Sequence, residues 1–198
     1  MSFYSKNKLK KIFILNKIFL TYFSNPFCIL KFKFDYLSIF LSKDLPLLLI
    51  FLKLNIFFRF ESLLDIYAVD FPFRFKNNRR FELNYYLISF IYNTRLTLRN
   101  TCPELGFNPT CIHIYSSGGW LERECWDMFG IFFHGNPDLR RILTDYGFEG
   151  FPLRKDFPLT GFFEVRYSDS EKKIVYDRVE LNQQYRKYSF NDIWLNFL

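Results

Sequence analysis

Residues 81–99 constrain the fold more than any other stretch. Phe81, Leu83, Tyr85 and Leu87 alternate with Glu82, Asn84 and Tyr86. A period of two sends successive side chains to opposite faces, so this segment reads as a half-buried strand. Asn93-Thr94 then turns the chain into Arg95-Leu96-Thr97-Leu98-Arg99, which alternates again. Two alternating runs across a turn make a hairpin, and that commits the chain to antiparallel pairing against a core.

The periodicities from residue 27 to about 110 place this hairpin in a compact α+β unit. Phe27 to Phe34 reads as a strand, Leu45 to Leu54 as a helix, and Leu63 to Val69 as a second strand ended by Asp70-Phe71-Pro72. Ser42 and Asp44 are able to cap the helix, and Pro46 suits its first turn. The apolar run Leu45 to Leu52 is eight residues between Asp44 and Lys53. A bilayer-spanning helix needs about 20 apolar residues, so no transmembrane span is expected.

Ser116-Ser117-Gly118-Gly119 breaks the pattern and precedes a second helix, from about Trp120 to Phe129. Ser117 is the expected N-cap, and Gly130 ends the helix. Leu121, Cys125, Met128 and Phe129 lie on one face, while Glu122, Arg123, Glu124 and Asp127 supply charge.

After residue 135 the character changes. Pro137, Gly147, Gly150, Pro152, Pro158 and Gly161 punctuate the chain too often for long elements. One hairpin is expected, Phe162 to Tyr167 with Ile174 to Leu181. The tail still carries Phe148, Phe151, Phe157, Phe162, Phe163, Tyr185, Tyr188 and Phe190. An aromatic-rich tail without a core of its own lies either on its own domain or on a partner. The expected fold class is α+β: a small mixed sheet with helices packed on one face, followed by an extended C-terminal tail. The expected divisions are a basic N-terminal extension over 1–26, an α+β domain over 27–135 and a partner-binding tail over 136–198.

Charge separates the chain in a second way. The net charge is +7 over 198 residues. Residues 1–60 carry ten Lys/Arg against Asp35 and Asp44, and residues 61–198 carry 17 basic against 18 acidic residues. The basic excess therefore sits in a Lys-rich front segment, and the body is near neutral. Later basic residues are mostly Arg, which suits fixed, directional contacts. The 28 Phe residues, against a lone Ala68, fit an A+T-rich coding genome such as an organellar one.

The N-terminus imitates a signal or transit peptide, with Lys8, Lys10 and Lys11 before Ile12-Phe13-Ile14-Leu15. Lys17 interrupts the apolar stretch and no clear small-residue cleavage site follows, so a retained basic extension is expected. Cys28, Cys102, Cys111 and Cys125 form no C-x-x-C pair and read as free, buried thiols in a reducing compartment. Zinc ligation by Cys111, His113, Cys125 and His134 is the weaker alternative, since structural sites bring tight ligand pairs.

The densest chemistry is Glu122-Arg123-Glu124-Cys125-Trp126-Asp127-Met128-Phe129-Gly130, then Pro137-Asp138-Leu139-Arg140-Arg141-Ile142-Leu143. Such a cluster is either an acid/base centre or a structural ion-pair lattice. Arg forks hold carboxylates bidentately, so Arg140 and Arg141 suit Glu122, Glu124 or Asp127. No nucleophile sits beside a base, which favours the lattice.

These residues resemble the signature of the thirty-kilodalton (NuoC-type) subunit family of respiratory complex I, the proton-pumping NADH:ubiquinone oxidoreductase. The likeness continues through Asp145-Tyr146-Gly147-Phe148-Glu149-Gly150, Pro152-Leu153-Arg154-Lys155-Asp156-Phe157-Pro158-Leu159-Thr160-Gly161 and Glu164-Val165-Arg166-Tyr167. Upstream, Glu61-Ser62-Leu63-Leu64-Asp65, Ala68-Val69-Asp70 and Arg80-Phe81-Glu82-Leu83 also resemble it. The resemblance covers about residues 61–190.

It implies a non-catalytic subunit on the matrix side of the mitochondrial inner membrane, in the peripheral arm, supporting the quinone-reducing module. The implied partners are the NuoD-type (forty-nine-kilodalton) and NuoB-type subunits. FMN, iron–sulfur clusters and ubiquinone belong to the parent complex, with none bound by this chain. No catalytic, metal or cofactor-binding residue is assigned. Glu122, Arg123, Glu124, Asp127, Arg140 and Arg141 are expected to form an ion-pair lattice, and Arg154, Lys155 and Asp156 to anchor the tail to a partner. Asn136 and Phe151 stand where the family usually has His, and Gly118-Gly119 where it typically has Ala-Asn. These departures read as interface positions that co-adapt with a partner.

Two rival functions remain. A nucleic-acid or membrane-surface binder would use the Lys/Phe-rich front segment, which leaves residues 61–198 without a purpose. A thiol enzyme would use Cys125 or Cys111 with a His.

Overall fold

A computed structural model describes residues 29–33, 36–41, 45–72 and 79–186. The basic extension over 1–26, Cys28, the capping residues Ser42 and Asp44, and the end of the tail lie outside the described residues. The chain divides into two compact units, Met1–Phe157 and Pro158–Leu198.

The first unit is built on a five-stranded sheet of β1 (Ile29–Lys33), β2 (Tyr36–Leu41), β3 (Ser62–Asp70), β4 (Phe81–Ser89) and β5 (Thr94–Cys102). The order is β1-β2-β5-β4-β3. The expected hairpin is β4–β5, closed at Ser89↔Thr94 and running to Phe81↔Cys102. Asn93, at φ 48°, turns the chain there. β2 runs parallel to β5, pairing Leu37 with Leu96, so the sheet is mixed. β2 was not foreseen, because Leu37-Ser38-Ile39-Phe40-Leu41 is short and nearly continuous in apolar residues. Such a run does not distinguish strand from buried helix.

Alternation understates how deeply β4 is buried. Phe81, Leu83, Tyr85 and Leu87 are fully enclosed, but Glu82 and Asn84 are buried as well. β4 lies between two other strands, and Glu82 is matched by Arg99 at 3.4 Å. A charge partner offsets part of the cost of taking Glu82 out of water.

Helix α1 (Leu45–Leu54) buries Leu45, Leu48, Leu49 and Leu52, the i, i+3, i+4, i+7 stripe of an amphipathic helix. Helix α2 (Gly118–Phe129) joins the same core through Cys125, with Tyr85, Leu98, Cys111, Tyr115 and Phe133. Its expected N-cap behaves otherwise. Ser117 is itself helical and makes no side-chain cap bond; its Oγ donates to Leu63 O at 3.1 Å. Cys125 Sγ donates to Ile66 O at 3.5 Å. The start and middle of α2 therefore both grip β3, the last strand of the sheet. At its far end Gly130 adopts φ 73°, the left-handed cap geometry that glycine takes without a Cβ penalty. β6 (Phe107–Pro109) and β7 (Phe132–His134) form a parallel pair flanking α2 in sequence.

The second unit contains one hairpin, β8 (Phe163–Ser168) with β9 (Lys173–Arg178). Phe163, Val165, Tyr167, Ile174 and Tyr176 are all exposed. Val165 pairs with Tyr176 and Tyr167 with Ile174, so these side chains share one face of the hairpin.

The sequence division after residue 135 and the structural division after Phe157 differ. Side chains from β3 and α2 hold residues 136–157 to the first unit, as described next.

Candidate functional site

Helix α2 carries two fully buried carboxylates, Glu122 and Asp127, each with 0% of its surface exposed. Of Leu121, Cys125, Met128 and Phe129, which share one face, Cys125 is fully buried and Leu121 and Phe129 pack partly buried against the core.

Asp127 organises the loop after Arg140. Its Oδ2 accepts from the backbone N–H of Ile142, Leu143 and Thr144 at 3.1, 2.7 and 3.0 Å. Its Oδ1 accepts from Thr144 Oγ1 at 2.6 Å and from Arg141 Nη1 at 3.4 Å. Burial alone would raise this carboxyl, but the Thr144 hydroxyl and the three backbone N–H groups together hold it below its ordinary range.

Glu122 serves the loop before α2. It accepts from Cys111 N–H at 2.7 Å, Thr110 Oγ1 at 2.7 Å and Asn136 Nδ2 at 2.8 Å. Asn136 thus has an intrachain partner, and its Oδ1 also accepts from Asp138 N–H at 2.9 Å. Buried Tyr85 and Asn108 and half-buried Asn100 form a network within the same unit, with Asn108 Nδ2 donating to Tyr85 Oη at 2.5 Å.

A third buried carboxylate, Asp70 at the end of β3, was not singled out from sequence. It is gripped bidentately by Arg80, at 2.8 and 2.9 Å, and accepts from Lys155 N–H at 2.9 Å. Arg80 also reaches Glu104 at 3.0 Å and Asp156 at 3.1 Å, and Arg154 reaches Glu104 at 3.1 Å. Burial pushes Asp70 up, but the Arg80 hydrogen bonds, the Lys155 N–H and the charges of Arg80 and Arg154 bring it below the usual carboxylate range. Both Asp70 and Arg80 fall in segments that carried the resemblance; spacing alone did not connect them.

The expected lattice residues therefore separate into distinct roles. Arg141 meets Asp127, while Arg140 pairs with Asp138 at 2.8 Å and is mostly exposed. Its pairing brings the Asp138 carboxyl down to about 2. Arg123 donates to Arg140 O at 2.9 Å and stacks on Trp120. Glu124 is exposed and joins none of these bonds. Arg154, Lys155 and Asp156 all make bonds within the first unit.

Aromatic rings complete the arrangement. Phe151 packs edge-on to Trp126 at 5.9 Å and lies under the guanidiniums of Arg141 and Arg154, at 5.0 and 4.5 Å. Gly118 approaches Cys111 so closely that a Cβ would sit 2.6 Å from Sγ. Asn136, Phe151 and Gly118 thus each make a close contact within this chain.

The chemistry available here is that of anchoring. Glu122, Asp127 and Asp70 each accept three or more donors from this chain, which ties the loops to α2 and β3. Burial pushes the Cys102 thiol up to about 11 and those of Cys111 and Cys125 higher. Buried thiols held in the protonated form do not favour the thiol-enzyme reading.

The family model "Respiratory-chain NADH dehydrogenase, 30 Kd subunit" matches residues 40–163. The chain belongs to this family. It is 51% identical to NADH dehydrogenase [ubiquinone] iron-sulfur protein 3 of Patellifolia webbiana, over 74% of this chain and 75% of that one. The Arabidopsis thaliana protein of the same name is 50% identical over 74% of this chain and 76% of its own length. A subunit chain in the structure of the membrane-bound sulfane sulfur reductase, an archaeal respiratory membrane complex, shares the fold. Its TM-score is 0.62 at 27% identity, covering 76% of this chain and 86% of that one. Among the described residues no helix is long and apolar enough to cross a membrane.

The relatives' name mentions iron–sulfur, and the described cysteines do not fit a cluster. Cluster ligands are thiolates grouped around the metal. Cys102, Cys111 and Cys125 are buried, and among the described residues no group of three His, Cys, Asp or Glu could hold a metal ion.

Proposed function

We propose that this thirty-kilodalton-family chain acts as a cofactor-free, non-catalytic subunit in the peripheral arm of NADH:ubiquinone oxidoreductase. It braces the quinone-reducing module while other subunits carry electrons from NADH to ubiquinone and couple them to proton pumping. The peripheral arm that holds this chain lies on the matrix side of the mitochondrial inner membrane. The neighbours are the NuoD-type (forty-nine-kilodalton) and NuoB-type subunits, and residues 136–198 form the partner-binding tail. FMN, the iron–sulfur clusters and ubiquinone belong to other parts of the parent complex.

One observation carries this reading. The residues that a catalytic interpretation would need, Glu122, Asp127 and Asp70, each bind structural donors at 3.1 Å or less. They serve as rigid anchors. The hairpin of the second unit adds support, since an isolated two-stranded hairpin is marginal in water and this one exposes an apolar face.

The test is native electrophoresis of respiratory membranes with detection of this chain. The chain co-migrates with a megadalton-class, NADH-oxidising complex. Migration as a free monomer defeats the proposal. So does a variant of Glu122, Asp127 or Asp70 that assembles fully but turns over slowly per complex.

A further inference from the structure

The loop from Arg141 to Gly150 is tied at base and ends, yet it exposes Tyr146 and Leu143. Arg141 Nη1 donates to Gly150 O at 3.0 Å, which joins the two ends. Asp127 fills the base by accepting from three successive N–H groups, Ile142 to Thr144. At the tip, Phe148 N–H donates to Asp145 O at 3.2 Å and Gly147 adopts φ 71°. That is a type II turn, whose third residue requires a positive φ and so favours glycine. Phe148 turns inward and packs on Phe157, with ring centroids 5.9 Å apart.

Two apolar side chains face out from this frame. Tyr146, the second residue of the turn, is 100% exposed, and Leu143 is 59% exposed. Asp145 and Glu149 flank them, both exposed, and residues 142–150 contain no Lys or Arg. Arg141 is turned inward onto Asp127, Thr144 and Gly150. The loop therefore presents an exposed aromatic side chain on a hydrogen-bonded turn, beside two carboxylates without a basic residue in the loop. Rigid Tyr side chains at the centre of an interface are typical energetic hot spots, because little entropy is lost on docking.

We infer that the 142–150 loop is a docking finger: Tyr146 and Leu143 enter an apolar pocket rimmed by Lys or Arg on a neighbouring protein subunit. This rests on the chain being a complex subunit, as proposed above. The charge selects the occupant. An acidic rim attracts a basic protein surface and is repelled by anionic lipid headgroups and by nucleic acid. Loop rigidity means that the finger is preformed before the partner arrives.

The test uses the full chain carrying Tyr146→Cys, with the wild-type chain as the background for native thiols. A water-soluble maleimide labels the free variant rapidly. In the assembled complex the labelling rate falls about tenfold or more, as burial at an interface centre requires. Equal rates in the free and assembled chain overturn the inference. A photoreactive maleimide at the same position then identifies the occupant. Cross-links on a subunit peptide containing Lys or Arg support it; cross-links to lipid, to nucleic acid or to an acidic peptide overturn it.

The double variant Asp145→Asn/Glu149→Lys keeps the turn acceptor and reverses the rim charge. Less assembled complex at an unchanged unfolding midpoint is expected, and full assembly overturns the charge argument. If the wild-type chain itself does not enter the complex, the subunit proposal fails. If the wild-type chain assembles while the residue 146 label stays fast, only the docking finger fails.

Discussion

Asp127 holds Thr144 twice, accepting its backbone N–H at 3.0 Å and its hydroxyl at 2.6 Å. A residue on a helix and one in a loop 17 positions later are thereby fixed as a single unit. The neighbouring N–H groups of Ile142 and Leu143 depend on the same carboxylate.

Replacing Asp127 with Ala orphans those donors inside the protein. Removing one partner from a buried, charge-assisted network costs about 3–5 kcal/mol. Urea unfolding of the purified chain should show this loss, and limited proteolysis should newly cut between Arg141 and Gly150. Protection of that loop in Asp127→Ala would contradict the anchoring role.

Acid should weaken the chain through Asp127 and Asp70. Both carboxyls sit below their ordinary value of 3.8 in the folded state. Their contribution is fully present above that value and is lost as the pH falls through the lower folded values. Urea midpoints measured from neutral pH downward should stay level to about pH 4 and then fall. The fall should be shallower in Asp127→Asn, and an identical profile in that variant would remove Asp127 as a cause.

Gly118 and Cys111 should behave as a coupled pair. A Cβ at 118 meets Sγ at 2.6 Å, so Gly118→Ala overpacks the core at a cost of about 1–3 kcal/mol. Cys111→Ala removes the obstructing atom. A double-mutant cycle should show the pair less destabilised than the sum by about 1 kcal/mol. Strict additivity would mean that the helix shifts to admit the methyl group.

Arg140 and Arg141 should separate. Arg141→Ala breaks the bonds to Asp127 and Gly150 and should lower the unfolding midpoint of the chain itself. Arg140 is exposed beside Asp138, so Arg140→Ala should leave that midpoint unchanged while lowering the amount of assembled complex. Normal abundance with slowed turnover would argue against an assembly role.

Local pattern made much of the fold legible. The β4–β5 hairpin, helix α1 over Leu45–Leu54 and the glycine end of α2 follow from periodicity and from glycine's tolerance of positive φ. The inward turn of Glu122 and Asp127 was not legible. Carboxylates on a helix usually face water, and only loops far along the chain bring the N–H groups that reverse that preference. The Asp70–Arg80–Lys155 junction was hidden for the same reason, since its members are 85 residues apart at the extreme.

The sequence by itself determined an α+β domain with a neutral, Arg-rich body, and its motif order placed the chain in its family. Alternation, helical spacing and glycine positions are local signals, and each acts within a turn or a strand. Only the tertiary structure decided which charges pair and where the strap of residues 136–157 lies. Those outcomes depend on donors and acceptors meeting across long loops, where a buried carboxylate is stable only when its full set of partners arrives together.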